Sequence, residues 1–216
     1  MQNKLYTNAV SKFQLQALHA LMKCKELENF RLVGDTAMSL HRGHRTSSKI
    51  DLWTDVKHGQ IGFVQIEEYL RKNFKYVDTS YSQKVTNSKS WFIGDSKDNC
   101  VKLEISQTPP FIRPAVVIDE IRISSEEDIV AMKMDDIGRG GCQVDYWDIH
   151  ELMEDYSFSK MMQLHYERYP QAHNISQLIT GFSDFSKANR DFTPVCSRGK
   201  HWEIIKLDLI DFSEDE

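Results

Sequence analysis

Residues 30–55, FRLVGDTAMSLHRGHRTSSKIDLWTD, contain the side chains best suited to chemistry. Asp51 stands between two aliphatic residues in a pattern typical of a packed strand. A carboxylate on a packed face costs free energy unless it is paired, so Asp51 is predicted to belong to a functional site. The preceding loop, HRTSSK, adds Arg45 and Ser47, which could donate hydrogen bonds to an anion. These loop residues could equally be ordinary surface polar groups.

Three short elements are predicted to position these side chains. Residues 30–33 are apolar and predict a buried strand that ends at Gly34. Residues 36–42 carry apolar side chains at helical spacing, and Gly43 is expected to end that helix. Residues 50–53 return to an extended pattern. Gly34 would let the backbone approach a phosphate, whose charge the following helix N-terminus favours, although a tight turn alone also explains a glycine here.

The composition excludes several classes of protein. The chain has 216 residues, of which 40% are hydrophobic, so it can bury a sizeable core. Its formal net charge of −5 gives no basic footprint for non-specific nucleic-acid binding. The four cysteines lie far apart and predict neither a zinc site nor a disulfide framework. No apolar run suits a signal peptide or a membrane span, so a cytoplasmic protein is predicted.

Hydrophobic periodicity predicts a mixed N-terminal half and a mostly helical C-terminal half. The predicted helices cover residues 7–25, 59–73, 124–137, 144–155, 158–169, 174–181 and 200–212. The predicted strands outside the first stretch cover residues 74–77, 84–86, 90–93 and 100–105. Ser124, followed three residues later by Glu127, has the pattern of a capping box and is predicted to begin the C-terminal half.

Several motifs follow one another along the chain in a specific order. The first group consists of Gly34, Thr36, Ala37, Gly43, His44, Arg45, Ser47 and Asp51. The later groups are Lys102-Leu103-Glu104, residues 131–137, Arg139-Gly140 and residues 144–148. This order resembles the AbiEii/AbiGii nucleotidyltransferase toxin family, whose members carry a Gly-Gly-Thr-Ala turn, a Gly-His-Arg-x-Ser loop and then Asp-hydrophobic-Asp.

The resemblance implies an α/β (α+β) fold of the polymerase β type. A nucleotidyltransferase-like lobe with a mixed sheet would cover residues 1–123, and a helical lobe would cover residues 124–216, with a cleft between them. The implied activity is transfer of a nucleotide from an NTP to a tRNA, another RNA or a protein, in a bacterial toxin that has a cognate antitoxin. Such transfer uses Mg²⁺ ions held by carboxylates.

The resemblance also implies roles for particular residues. The implied catalytic residues are Asp51, Lys133 and Asp145, the nucleotide-binding residues are Gly34, Thr36, Arg45, Ser47 and Asp148, and the metal ligands are Asp51 and Glu104. Asp51 and Lys133 are expected to face each other across the cleft. Ordinary alternatives exist, because Glu104 suits a solvated strand position and the Lys133 stem could cover the core. Acids such as Asp145 and Asp148 also stabilise the first turn of a helix.

Two positions depart from the family pattern, and their charges are opposite. Asp35 stands where the family has its second glycine, and Lys49 stands where it has the first metal-binding aspartate. Lys49 places a cation at the position of a metal ligand, so it is predicted to block ordinary two-metal binding. Our hypothesis is that Asp35 and Lys49 pair with each other and fill the site.

Three functions are compatible with these residues. The first is nucleotide transfer from an NTP to an RNA or protein acceptor by a toxin-like enzyme. The second is a catalytically degenerate relative that keeps the fold for nucleotide or partner binding. The third is an interaction domain whose pocket is closed. Asp35 and Lys49 are the residues that distinguish these three functions. Intact metal ligands would favour an enzyme, whereas the loss of the metal ligands favours a binding protein.

Overall fold

The computed structural model describes residues 4–57, 59–79 and 87–214 as an α/β structure with a seven-stranded mixed sheet. The strands are β1 Arg31–Leu32, β2 Lys49–Thr54, β3 Tyr76–Asp78, β4 Ser88–Gly94, β5 Cys100–Gln107, β6 Val116–Ile118 and β7 Ile121–Ile123. The helices are α1 Lys12–Met22, α2 Gly34–Arg42, α3 Phe63–Asn73, α4 Glu126–Gly138, α5 Gln143–Leu152, α6 Phe158–Arg168, α7 Ile175–Gly181 and α8 Trp202–Glu214. Short 3-10 helices cover Thr7–Ala9, Lys25–Leu27 and Ala188–Arg190.

The sheet order, β3-β4-β5-β2-β1-β7-β6, places β2 in the middle of the sheet. β2 pairs in parallel with β5 and antiparallel with β1, which in turn pairs in parallel with β7. A central strand has neighbours on both sides, and the aliphatic residues of β2 are fully buried. The predicted α/β class is therefore confirmed, and β2 carries Asp51 into the interior of the molecule.

Glycines set both ends of α2. Gly34 has φ +64, a left-handed conformation that favours glycine, and a Cβ there would lie 3.4 Å from the Asp51 carboxylate. Gly43 has φ +63, and its N–H donates to the Ser39 carbonyl at 2.8 Å. This left-handed residue ends the helix as the sequence predicted. α2 therefore begins directly beside Asp51 and stops where the HRTSSK loop starts.

Two predicted helices are shorter in the structure. The single helix expected over residues 7–25 is wrong, because it divides into Thr7–Ala9 and α1. The division occurs because Ser11 adopts an extended conformation and its hydroxyl accepts the Gln14 N–H, so Ser11 caps α1. The helix expected from residue 59 begins only at Phe63, because residues 59–62 form a turn and an irregular segment, with Gly59 at φ +79.

The start of α4 and the strands before it also differ from expectation. Ser125, not Ser124, caps α4, because the Ser125 hydroxyl accepts the Asp128 N–H. The sequence did not predict the β6–β7 hairpin, which turns through Asp119 and Glu120, both with positive φ. The strand predicted over residues 84–86 lies outside the described residues. The domain division at residues 123 and 124 stays a prediction.

A fully buried ion pair ties the loop after β5 to helices α4 and α6. Arg168 on α6 contacts Asp128 on α4 at 2.7 Å, and both side chains are 0% exposed. Asp128 also accepts the backbone N–H groups of Ile112 and Arg113, and Arg168 donates to Thr108 at 2.9 Å. Every strong polar group in the pair is therefore satisfied, which is the condition for a buried ion pair to be tolerated.

We expect Arg168→Ala to destabilise the protein by about 3–5 kcal/mol, because Asp128 would keep a buried charge without its cation. Glu203→Ala is the control, since Glu203 pairs with Lys206 on the exposed face of α8 and should change stability by about 0–1 kcal/mol. Urea unfolding measures both variants. An Arg168→Ala protein as stable as the control would contradict the assignment.

Candidate functional site

Asp35 lies at the centre of a cluster of charged side chains. Its carboxylate contacts Lys133 Nζ at 2.6 Å, Arg45 Nη2 at 3.1 Å and Lys49 Nζ at 3.5 Å. The three cations come from α4, the loop after α2 and the first residue of β2. Asp35 itself belongs to the first turn of α2, where the helix dipole favours a negative charge. The carboxylate therefore occupies a position that would suit a bound anion.

Asp148 on α5 is the buried anchor of the same cluster. Arg45 binds it through two nitrogens, with both N–O distances 2.7 Å, and His44 contacts it at 2.8 Å. Lys133 Nζ reaches Asp148 at 2.8 Å and Asp145 at 2.7 Å. Asp148 is fully buried, so these partners replace the water that its carboxylate loses.

Lys49 and Asp51 form the outer part of the cluster on β2. Lys49 Nζ lies 3.1 Å from Asp51 Oδ2, and the Lys49 side chain keeps 44% of its area exposed. On the neighbouring parallel strand β5, Glu104 is the register partner of Asp51. Glu104 also lies 3.6 Å from Lys102 and is 31% exposed. Asp51 and Glu104 thus stand side by side, with Lys49 bound to one of them.

Hydroxyl and amide groups fix the start of β2 against α2. Thr36 Oγ1 donates to the Lys49 carbonyl and lies 2.7 Å from Ser47 Oγ. Gln14 on α1 donates to the same carbonyl at 2.9 Å. Thr36 is fully buried, so its hydroxyl serves this internal contact. The Lys49 backbone is therefore held from two sides, while its side chain extends outward.

A cavity of about 560 Å³ opens beside the cluster, which is within the usual size range for small-molecule sites. Its walls come from the N-terminal segment, the HRTSSK loop, α5 and the segment before α8. The lining residues are Asn8, Ala9, Val10, Ser11, Asp35, Arg45, Thr46, Ser47, Ser48, Lys49, Val144 and Pro194. The charged cluster therefore has an accessible side rather than being enclosed by the protein.

The segment before α8 runs antiparallel to the HRTSSK loop and supports it. The Thr46 N–H donates to the Val195 carbonyl at 3.2 Å, and the Ser197 N–H donates to the His44 carbonyl at 2.9 Å. Sequence reasoning missed this segment, because an irregular stretch has no periodicity. It also missed Gln14, although a polar residue on the apolar face of a predicted helix is a usable signal.

The charges of the cluster perturb the pKa values of its carboxyl groups. Burial alone would raise the pKa of Asp35, but the charges of Lys133, Arg45 and Lys49 hold that pKa well below its usual value. Burial is likewise outweighed at Asp148, whose pKa is lowered by Arg45 and Lys133. At Asp51 the balance reverses, because burial raises the pKa more than Lys49 lowers it.

The structure brings the residues of the sequence prediction to one side of the molecule. Gly34, Thr36, Arg45, Ser47, Asp51, Glu104, Lys133, Asp145 and Asp148 all belong to the cluster or border it. The hypothesised pair of Asp35 and Lys49 is present, but each has a nearer partner. Asp51 and Lys133 are joined through these two residues. The functional roles of all these side chains stay predictions.

The residues present do not fit a two-metal site. Throughout the described ranges 4–57, 59–79 and 87–214, no three His, Cys, Asp or Glu side chains form a group that could hold a metal ion. The Lys49 ammonium, at 3.1 Å, takes up the Asp51 oxygen that would bind a cation. A metal ion bound to the same oxygen would lie close to the ammonium, and the two positive charges would repel each other. The Lys49 ammonium therefore opposes a Mg²⁺ ion at Asp51.

The fold is that of nucleotidyltransferases. A protein of H. pylori described as a nucleotidyltransferase matches with a TM-score of 0.58 and 18% identity, covering 93% of this chain and 90% of that one. JHP933 from Helicobacter pylori matches with a TM-score of 0.55 and 19% identity, covering 95% of this chain and 92% of that one. The nucleotidyltransferase toxin MenT4 from Mycobacterium tuberculosis H37Rv matches with a TM-score of 0.54 and 10% identity, covering 93% of this chain and 82% of that one.

The TM-scores show a shared fold, and at these identities the similarity shows the fold alone. No protein-family model matches the chain, and no curated protein matches it by sequence. In the part of the chain that the structure describes, no helix combines the length and the apolar character needed to cross a membrane.

We predict that the lowered pKa of Asp35 makes stability depend on pH. Stability from a carboxyl with a lowered folded pKa is fully present above its unfolded value of about 3.9 and is lost as pH falls toward the folded value. Urea unfolding between about pH 7 and pH 3 should therefore show a shallower acid loss for Asp35→Asn than for the unaltered protein.

Comparing variants is necessary because Asp51 acts in the opposite sense. Because the pKa of Asp51 is raised in the folded protein, its contribution to stability falls as pH rises through that folded pKa. The change of unfolding free energy with pH in the unaltered protein therefore contains the opposing effects of Asp35 and Asp51. Glu203→Gln, on the exposed face of α8, is the control and should leave the profile unchanged. Parallel pH profiles for Asp35→Asn and the unaltered protein would contradict the prediction.

Proposed function

We propose that this chain is a nucleotidyltransferase-like protein of the AbiEii toxin type that binds a nucleotide in its cavity without two-metal nucleotide transfer. The observation that carries the proposal is the position of Lys49. Its ammonium contacts the carboxylates of Asp51 and Asp35, at 3.1 and 3.5 Å, where the family pattern has a metal-binding aspartate. The proposal corresponds to a catalytically degenerate relative that retains the fold for binding.

The cavity supports a binding function. It has a volume of about 560 Å³, and Lys49, Thr46 and Ser48 are among the residues that line it. Residues of these types can donate hydrogen bonds to the phosphate and ribose oxygens of a nucleotide. An interaction domain with a closed pocket is less well supported, because this volume remains open beside the charged cluster.

Nucleotide transfer to a tRNA, another RNA or a protein is the second candidate. It is favoured by the side-by-side placement of Asp51 and Glu104 on adjacent strands and by Lys133 and Asp145 in the same cluster. In that case an NTP would be the substrate. The similarity to a nucleotidyltransferase toxin supports a toxin-type role, for which a cognate antitoxin would be the protein partner.

We predict that the unaltered protein binds nucleotides measurably in calorimetric titration. Lys102→Ala is a matched control, because Lys102 pairs with Lys49 in register and has a similar exposure of 46% but lies outside the cavity lining. Lys49→Ala should weaken binding while Lys102→Ala does not. Equal losses in both variants, or no binding of ATP, GTP, ADP or AMP, would contradict the proposed function.

We also predict that the unaltered protein transfers no label from α-labelled NTPs to tRNA or to protein in the presence of Mg²⁺. Lys49→Asp combined with Asp35→Gly restores both family residues and should make nucleotide binding respond to Mg²⁺, because the repelling ammonium is replaced by a ligand. Label transfer by the unaltered protein would favour the second candidate instead.

A further inference from the structure

The Lys49 ammonium has more N–H donors than its contacts within the protein require. An ammonium group carries three N–H donors, and Lys49 directs two contacts to the carboxylates of Asp51 and Asp35. With 44% of the side chain exposed and Lys49 in the cavity wall, the remaining donor is available to a ligand there. Two carboxylate partners and one open position resemble the surroundings of a bound metal ion.

The other cations of the cluster are not available in this way. The side chains of Arg45 and Lys133 are 2% and 3% exposed, and both are engaged with Asp35 and Asp148. Among the described residues of the cavity wall, Arg45 and Lys49 are the cations, and only Lys49 is substantially exposed. A ligand phosphate entering the cavity would therefore meet the Lys49 ammonium first.

The charge at position 49 is also suited to an anion. An aspartate with one bound Mg²⁺ would carry a charge of +1, which is the charge that the Lys49 ammonium carries alone. The substitution thus supplies the same positive charge without a metal. Asp35 does not cancel it fully, because that carboxylate is shared with Lys133 and Arg45 at shorter distances, 2.6 and 3.1 Å against 3.5 Å.

We propose that the Lys49 ammonium replaces a divalent cation, so that the cavity binds the phosphate of a nucleotide without any metal ion. The inference rests on the proposed function and adds the mode of binding. One open ammonium balances one phosphate charge, but the cluster as a whole is negative and would repel each further phosphate charge. Without Glu104, its charges sum to −1, from Asp35, Asp51, Asp145 and Asp148 against Arg45, Lys49 and Lys133. A nucleoside mono- or diphosphate therefore suits the site better than a triphosphate.

Binding of ADP, measured by calorimetry in EDTA and again in Mg²⁺, tests the proposal. We expect binding in EDTA to be at least as tight as in Mg²⁺, because Mg²⁺ bound to ADP competes with the ammonium for the same phosphate oxygens. Lys49→Ala should weaken binding about tenfold or more, because a charge-assisted hydrogen bond is lost. Lys49→Arg keeps the charge and donors and should retain most of the affinity, and Lys102→Ala should bind as the unaltered protein does. Thermal unfolding confirms that each variant is folded.

The outcomes separate this inference from the proposed function. Binding that appears only with Mg²⁺, or that Lys49→Ala leaves unchanged in EDTA, would overturn the inference while nucleotide binding itself stands. Absence of binding to the folded, unaltered protein in both buffers would overturn both. Loss of binding in Lys49→Arg as severe as in Lys49→Ala would also count against it, because charge would then not be the determining property.

Discussion

The contact between Arg45 and Asp148 determines much of the rest of the site. Asp148 is fully buried, and a buried carboxylate is tolerated only when its hydrogen-bonding capacity is satisfied. Arg45 satisfies it through Nε and Nη2, which fixes the plane of the guanidinium and also places Nη2 3.1 Å from Asp35. These contacts hold the HRTSSK loop, helix α5 and helix α2 in one arrangement, because none of the three can move away without leaving a charge unpaired.

Lys133 extends this constraint to helix α4. Its ammonium reaches Asp35, Asp145 and Asp148, three carboxylates on two helices, while its side chain is 3% exposed. Desolvation would lower the pKa of Lys133, but these carboxylates raise it well above its usual value, so the group stays charged. The two predicted lobes are thus connected by ion pairs whose strength depends on their exclusion from water.

The sequence predicted the local elements around the site better than their assembly. Gly34 and Gly43 were identifiable because a left-handed residue is a local requirement, and Asp51 because a polar residue interrupts an apolar strand. The contacts of Lys133 could not be identified from the sequence, because a lysine that covers the core and one that binds three carboxylates have the same local pattern. The segment around Val195, which pairs with the loop through backbone atoms, left no side-chain signal at all.

Asp35 and Lys49 act on different parts of the site. Asp35 contacts Lys133 and Arg45 more closely than it contacts Lys49, so its main effect is to neutralise those two buried cations. Lys49 keeps Asp51 as its nearer partner and remains half exposed. Among the cations that line the cavity in the described part of the chain, Lys49 is consequently the one with a substantially exposed side chain, and the cavity stays open beside it.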